Sequence, residues 1–423
     1  MAATPDSIPS APETGISARF RAVRAFTEAL TSTLETEDFV VQTMPDVSPT
    51  KWHLAHVTWF FENFLLQPHL PGYRVFDDRF NFIFNSYYYQ VGQMHARPER
   101  GLLTRPTVDE VFDYRAHVDE HMHSLIEQHG DNADVMALVE LGINHEQQHQ
   151  ELLLTDIKHV FSKNPLQPAF HKLPQARGQV KGKAPELRFI EGPSDRVTIG
   201  FDGEGFAYDN EGPAHDVILQ PYEIANRPVT NREFVEFIAD GGYERSEYWL
   251  SEGWATVNER GWRRPFYWLD DRHEFSLGGV REMDPDEPVS HLSYFEADAF
   301  ATWAGARLPT EAEWEVWARR YPVKGNFADD GRYHPAPASG NNDAVQVYGD
   351  VWEWTRSAYS AYPGYQPAKG AVGEYNGKFM CSQLVLRGGS CATSASHIRP
   401  TYRNFFYPAD QWQFTGLRLA RAV

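Results

Sequence analysis

The stretch His145-Glu146-Gln147-Gln148-His149 holds two imidazoles four residues apart. On a helix, residues i and i+4 share a face, with a rise of about 6 Å between them. Both rings can therefore reach one metal ion. Imidazole suits iron, zinc, copper and nickel alike, so the pair points to a metal without naming it. The same residues fit H-E-x-x-H, in which two histidines hold zinc and the glutamate, here Glu146, is the general base of a hydrolase. That pattern is short and needs a further ligand. His159 is too far along the same stretch to share the ion. His53 and His56 offer a third imidazole from a separate segment. A pair of solvated or core histidines is the competing reading.

These rings need elements to hold them. Residues 133–161 contain no Pro and one Gly, Gly142. Val135, Leu138, Val139, Leu141, Ile143, Leu152, Leu153, Ile157 and Val160 recur at roughly helical spacing, which predicts one long helix. Residues 16–34, with Phe20, Val23, Phe26 and Leu30 on one face, predict an amphipathic helix. Ser48-Pro49 reads as an N-cap with Pro at the first helical position, opening a helix over 50–66 that carries His53 and His56. Thr107-Val-Asp-Glu110 is a capping-box pattern and starts a third helix reaching about residue 128. Asp131 or Asn132 starts the fourth. Between the second and third lies a long connection, 68–101, whose middle reads Phe-Ile-Phe-Asn-Ser-Tyr-Tyr-Tyr over 82–89. A connection of that length is usually functional. Four helices with one long crossover suggest a bundle that binds metal between facing helices.

The chain has 423 residues, too many for one ordinary core. The expected division is a disordered tail 1–15, a bundle 16–165, a linker 166–188 and a second domain 189–423. In the last, the helical period fades. Short apolar runs such as Val197-Thr-Ile199, Asp216-Val-Ile-Leu219 and Leu384-Val-Leu386 alternate with Gly, Pro and Asn clusters. Helices are expected over 231–239, over 293–304, and from the capping-box pattern Thr310-Glu-Ala-Glu313. The reading is an irregular, Trp-rich α+β domain. A net charge of -19 argues against nucleic acid and anionic membranes as partners. The first residues carry no apolar core of a signal or anchor, and no apolar run approaches the ~18 residues of a membrane span. Two cysteines, Cys381 and Cys391, build no disulfide framework. Both are expected to be packed thiols, in a cytoplasmic protein.

Asn144-His-Glu-Gln-Gln-His149 together with Leu54-Ala-His56 resembles the DinB-type bundle of the ergothioneine-pathway sulfoxide synthases. The second half resembles their formylglycine-generating-enzyme-like, or C-type-lectin-like, domain. The motifs are Asn226-Arg-Pro-Val-Thr-Asn231, Arg307-Leu-Pro-Thr-Glu-Ala-Glu-Trp314, Gly349-Asp-Val-Trp-Glu-Trp-Thr355, Leu386-Arg-Gly-Gly-Ser390 and Phe414-Thr-Gly-Leu-Arg418. The implied fold is an all-α DinB-like four-helix bundle followed by that α+β domain.

The resemblance implies that His56, His145 and His149 hold Fe(II), with His53 behind them or in the core. It implies a reaction joining the sulfur of a cysteine-type thiol to C2 of the hercynine imidazole, with O2, to give a sulfoxide. Branches of the family differ in whether the proton-donating tyrosine comes from the second domain or the crossover. Asn85-Ser-Tyr-Tyr-Tyr89 resembles the crossover version, which assigns Tyr87 and Tyr88. Arg97 and Arg100 match arginines that hold the thiol's carboxylate. Gln148 and Asn404 match hercynine-binding positions, and Phe405, Trp412 and Phe414 could enclose its trimethylammonium group. For Trp412 and Phe414, core packing is an equal alternative. Phe406 and Asp410 stand where the branch using γ-glutamylcysteine carries an acidic residue and an arginine, so free cysteine is the expected thiol. A selenosugar, as used by a selenoneine-forming relative, is the alternative within the family. A zinc-dependent DinB-type hydrolase or thiol transferase, and a ligand-binding module with structural histidines, are the alternatives outside it.

Overall fold

The computed structural model describes residues 15–171, 182–338 and 343–423. The expected tail, apart from Gly15, and the linker residues 172–181 lie outside the described residues.

The first half is helical: α1 (Ile16–Thr31), α2 (Thr50–Phe61), α3 (Gln67–His69), α4 (Phe80–Phe84), α5 (Val108–His129) and α6 (Ala133–Lys163). The long members α1, α2, α5 and α6 form the bundle. The crossover folds over it as α4 and an irregular run. α5 begins as its sequence dictates: the Thr107 hydroxyl accepts from the Glu110 amide at 3.1 Å, and the Glu110 carboxylate accepts from the Thr107 amide at 2.6 Å. Asn132 caps α6 through the amides of Asp134 and Val135. The start of α2 differs from the expectation. Pro49 occupies the cap position without a side-chain bond. The Ser48 hydroxyl accepts instead from buried Arg100 at 2.9 Å, and the Ser48 amide donates to Asp156 at 2.8 Å. A competing buried cation has drawn the hydroxyl off the helix end. Beyond Phe61 the chain continues through a π turn, Glu62–Leu66, into α3. Buried Glu62 there accepts from the hydroxyls of Tyr73 and Tyr114, both at 2.6 Å.

α6 is about 45 Å long at 1.5 Å per residue, enough to face the bundle on one side and the second domain on the other. Gly142 sets its distance from α2. A Cβ there would lie 2.4 Å from the Phe61 ring, so glycine allows the close approach that brings His56 opposite His145. Gly142→Ala is expected to cost about 1–3 kcal/mol, the usual range for overpacking, and to weaken metal binding. Urea unfolding and metal titration would check this; unchanged values in both would contradict it.

The second half holds β1 (Phe189–Glu191), β2 (Asp195–Ile199), β3 (His215–Leu219), β4 (Tyr222–Ala225), α7 (Asn231–Ala239), α8 (Ser251–Arg260), β5 (His273–Ser276), β6 (Gly279–Glu282), α9 (Tyr294–Trp303), α10 (Glu311–Ala318), β7 (Trp352–Ala358), β8 (Leu384–Arg387), β9 (Asn404–Phe406), β10 (Thr415–Gly416) and β11 (Ala420–Ala422). A mixed sheet runs β10-β7-β8-β9, with β10 parallel to β7 and the other pairs antiparallel. A second sheet runs β1-β4-β11, and β2-β3 and β5-β6 are separate antiparallel pairs. Capping boxes from Thr230, Ser293 and Thr310 open α7, α9 and α10.

The domains meet along the outer face of α6. Gln147 donates to Ser394 and Ser396, at 3.1 and 2.7 Å. Glu151 accepts from the Trp352 indole and the hydroxyls of Ser390 and Thr393, at 2.7, 2.7 and 2.8 Å. The Lys158 ammonium lies 2.7 Å from His291 Nε2. Residues 147, 151 and 158 recur at helical spacing, so one face makes these contacts. Cys391 is buried and its thiol is pushed up by burial. Cys381 is exposed in the loop before β8, so the expectation of a packed thiol fails there.

Candidate metal centre

α2 supplies His56, and α6 supplies His145 and His149. A ligand-capable nitrogen of each lies within 4.8 Å of the others, and all three rings are buried. Ring centroids are 5.0 Å apart for His56–His145 and 4.7 Å for both pairs involving His149. Among the described residues, His56 Nε2 and both nitrogens of His145 have no hydrogen-bond partner. Orphaned buried polar atoms are expensive, and converging ones ask for a shared partner. Burial, with His145 nearby, holds His56 well below the usual imidazole range; burial, with His145 and His56, does the same for His149. Burial brings His145 down to about 3. All three are therefore neutral at physiological pH, the state a metal requires. The residues fit a divalent transition metal. The set includes no carboxylate, and three protein ligands leave coordination positions open.

The ligands are held from outside. His56 Nδ1 lies 2.6 Å from the Phe84 carbonyl. It must donate there, which leaves Nε2 free. The aromatic crossover thus orients a ligand. On its far side His149 Nδ1 is 2.9 Å from His53 Nδ1, whose Nε2 is 2.9 Å from Asp156. His159 plays no part: it bonds Thr43 at 2.6 Å and stacks on Phe266.

Glu146 faces away. One residue along a helix turns the side chain by ~100°, and its carboxylate accepts from Arg24 at 2.9 Å, Arg115 at 3.0 Å and Thr27 at 2.7 Å. Burial raises this carboxyl, and Arg24 and Arg115 more than offset it, to about 2. Glu146 is an anchored anion inside the bundle. The hydrolase reading, which needs it as a base beside the metal, fails on this geometry. A second cluster, Glu274, Glu287 and His334, is also buried. There Arg281 pairs with Glu287 at 3.0 Å, and His334 Nε2 lies 3.2 Å from both carboxylates. It is balanced as an ion-pair network.

Around the three histidines stand most of the expected site residues. The Arg100 guanidinium lies 3.4 Å over the Trp52 ring, and Trp52 stacks on His56 at 4.6 Å. Among the described residues Arg100 bonds only the hydroxyls of Ser48 and Ser86, and its Nε has no partner. Burial and the neighbouring Arg97 hold its pKa well below the usual range. Arg97 is exposed and donates to the Asp46 carbonyl at 2.5 Å. Tyr88 is buried against Trp59 and Phe64, at 5.6 and 5.1 Å, one ring layer behind the ligands. Its hydroxyl is 3.5 Å from that of Tyr87. Burial raises both phenols, so both stay protonated.

Tyr87 in turn meets Tyr375 at 6.2 Å. Tyr375, from the second domain, sits edge-on to His145 at 5.5 Å and stacks on Tyr208 at 5.4 Å. Sequence reasoning passed it over. The segment around it grips the crossover: Glu374 accepts from the amides of Tyr89 and Gln90, at 3.0 and 2.8 Å, and Lys378 donates to the Tyr87 carbonyl. Gln148 spans the interface, accepting from the Tyr375 hydroxyl and donating to that of Tyr402 at 2.7 Å. Asn404 uses its carbonyl on the Phe405 amide at 2.9 Å. Phe405 stacks on Tyr359 at 4.0 Å, and Phe406 meets Trp412 at 6.0 Å. Phe414 sits as its core-packing alternative describes. It is fully buried, and the cation over its ring, at 4.8 Å, is Lys158.

A helical bundle that lends three neutral imidazoles to its border with a mixed α/β domain defines a two-domain metalloprotein with an open mononuclear centre. The DinB superfamily model matches residues 19–153, and the sulfatase-modifying factor enzyme 1-like domain model matches residues 176–423. The hercynine oxygenase of Mycolicibacterium thermoresistibile is 34% identical, with 96% of each chain covered. That of Mycolicibacterium smegmatis is also 34% identical, over 89% of this chain and 91% of the relative. The formylglycine-generating enzyme of Streptomyces coelicolor is 30% identical over 44% of this chain and 73% of its own length. This chain belongs to the hercynine oxygenase family. Among the described residues, no helix is long and apolar enough to cross a membrane.

Proposed function

We propose that the protein is a non-haem Fe(II) sulfoxide synthase acting on cysteine and hercynine with O2, with domains 16–165 and 189–423 meeting at the site. The observation that carries this is the convergence of partnerless imidazole nitrogens beside the domain border, in a chain related along its length to hercynine oxygenases. In the reaction the thiol S–H and the imidazole C2–H break, and C–S and S–O bonds form. One atom of O2 stays on sulfur and the other leaves as water. Iron held by His56, His145 and His149 would supply the redox chemistry and gather the reactants on one ion.

The remaining residues bind and steer. Arg100 is a buried guanidinium that makes no ion pair among the described residues, which suits the cysteine carboxylate, with Arg97 at the outer edge. Gln148 and Asn404 hold hercynine by hydrogen bonds. Phe405, Phe406 and Trp412 give its trimethylammonium group an aromatic surface. Burial and Asp46 raise the Asp410 carboxyl to about 7. A second carboxylate on the thiol would meet this acid instead of a guanidinium, which favours cysteine over γ-glutamylcysteine. Tyr87 and Tyr88 supply a proton to reduced oxygen, with the Tyr375 ring packed between Tyr87 and His145.

Tyr88→Phe or Tyr87→Phe should raise cysteine sulfinate at the expense of sulfoxide, with sulfoxide formation reduced about 10²-fold or more for the proton donor and iron content unchanged. Product ratios by mass analysis that stay put in both variants would sink the crossover assignment. Arg100→Ala should raise the KM for cysteine by about 30-fold or more, the loss of a buried charge-assisted pair; an unchanged KM would remove Arg100 from the binding site.

A further inference from the structure

Asp156 lies two turns beyond His149 on α6, and its Oδ2 accepts the Ser48 amide at 2.8 Å and faces His53 Nε2 at 2.9 Å. A carboxylate can only accept, so Nε2 of His53 carries the proton, and with that single ring proton its Nδ1 is bare. That Nδ1 is 2.9 Å from His149 Nδ1. Two bare nitrogens do not bond each other, so the proton between them belongs to His149. A neutral His149 protonated at Nδ1 has its lone pair at Nε2. We infer that Asp156 and His53 are positioning residues that fix which ring nitrogen His149 offers to the metal.

His56 reaches the same state by another route, through the Phe84 carbonyl. Two of the three ligands are thereby aligned before any metal arrives, one from the crossover and one from α6. His145, with neither nitrogen partnered, is the ring left to adjust. Partners of this kind hold a ring's tautomer and orientation and raise its basicity. The inference rests on the three-histidine centre and not on the identity of the substrates.

The competing role for Asp156 is structural, since it also anchors the start of α2 through Ser48. The tautomer separates the two. In metal-free protein labelled with 15N-histidine, long-range proton–nitrogen correlation should show His149, assigned by comparison with His149→Gln, protonated at Nδ1. An imidazolium at His53 would instead donate to His149 and place its proton on Nε2, and that pattern would overturn the inference. In Asp156→Ala the His149 signal should become a mixture of tautomers. Fe(II) affinity, by competition with a chelator, should fall about 10–100-fold. Asp156→Asn keeps an oxygen that accepts from both N–H groups, so it should retain the tautomer and lose less affinity. An Asp156→Ala protein with wild-type tautomer and affinity would also overturn the inference. Should that variant fail to fold, the wild-type tautomer measurement decides alone. None of these readouts depends on sulfoxide formation.

Discussion

His145→Ala is expected to yield protein that no longer retains iron and no longer forms sulfoxide. The residue contributes a buried ring with no hydrogen bond at either nitrogen, so the metal is the partner that accounts for it. Its loss leaves two imidazoles. Affinity should drop by more than the ~10–100-fold that follows loss of an outer partner. The metal-free fold should survive, because the substitution strands no neighbour: His145 gives no hydrogen bond that another group would miss. Elemental analysis and thermal unfolding of the purified variant would check both halves. Stoichiometric iron in the variant would remove His145 from the centre.

Glu146→Ala is expected to show the opposite pattern, a damaged fold with the metal ligands intact. The substitution would leave Arg24 and Arg115 buried without their carboxylate, and breaking a buried pair in this way costs about 3–5 kcal/mol. Urea unfolding would measure it; a loss under about 1 kcal/mol, within the range of exposed pairs, would contradict the assignment. The same group gives a pH dependence. Its folded-state pKa is depressed, from 4.5 to about 2. The stability it contributes is therefore fully present above pH 4.5 and is lost as pH falls toward about 2. By linkage this amounts to about 3 kcal/mol. Glu146→Gln should flatten that part of the acid limb.

Much of this was legible in the residues. The i, i+4 histidines could be paired because helical periodicity fixes which side chains share a face; for the third imidazole the residues left His53 and His56 open, and the family resemblance picked His56. The capping boxes at Thr107 and Thr310 placed helix starts because their hydrogen bonds are local. What was missed depended on distant partners. Ser48 looks like a cap until Arg100, brought in by the crossover, takes its hydroxyl. α8 is short and largely exposed, with Gly253 and Val257 its buried residues, so it carries little periodic signal. Tyr375 has no pattern around it and gains meaning only when Glu374 and Lys378 clamp the crossover. Asp156 did carry a signal, seven residues from His149 and hence on nearly the same face, but that spacing reads as a ligand's support only once His53 lies between them.

The central claim is that three histidines at the domain border hold an iron that couples two small molecules through O2. The most direct measurement is anaerobic loading with Fe(II), cysteine and hercynine, followed by a pulse of 18O-labelled O2 and mass analysis. A single product containing both carbon skeletons and one labelled oxygen atom is the predicted result. Labelled cysteine sulfinate alone, or turnover that proceeds equally with zinc in place of iron, would contradict it.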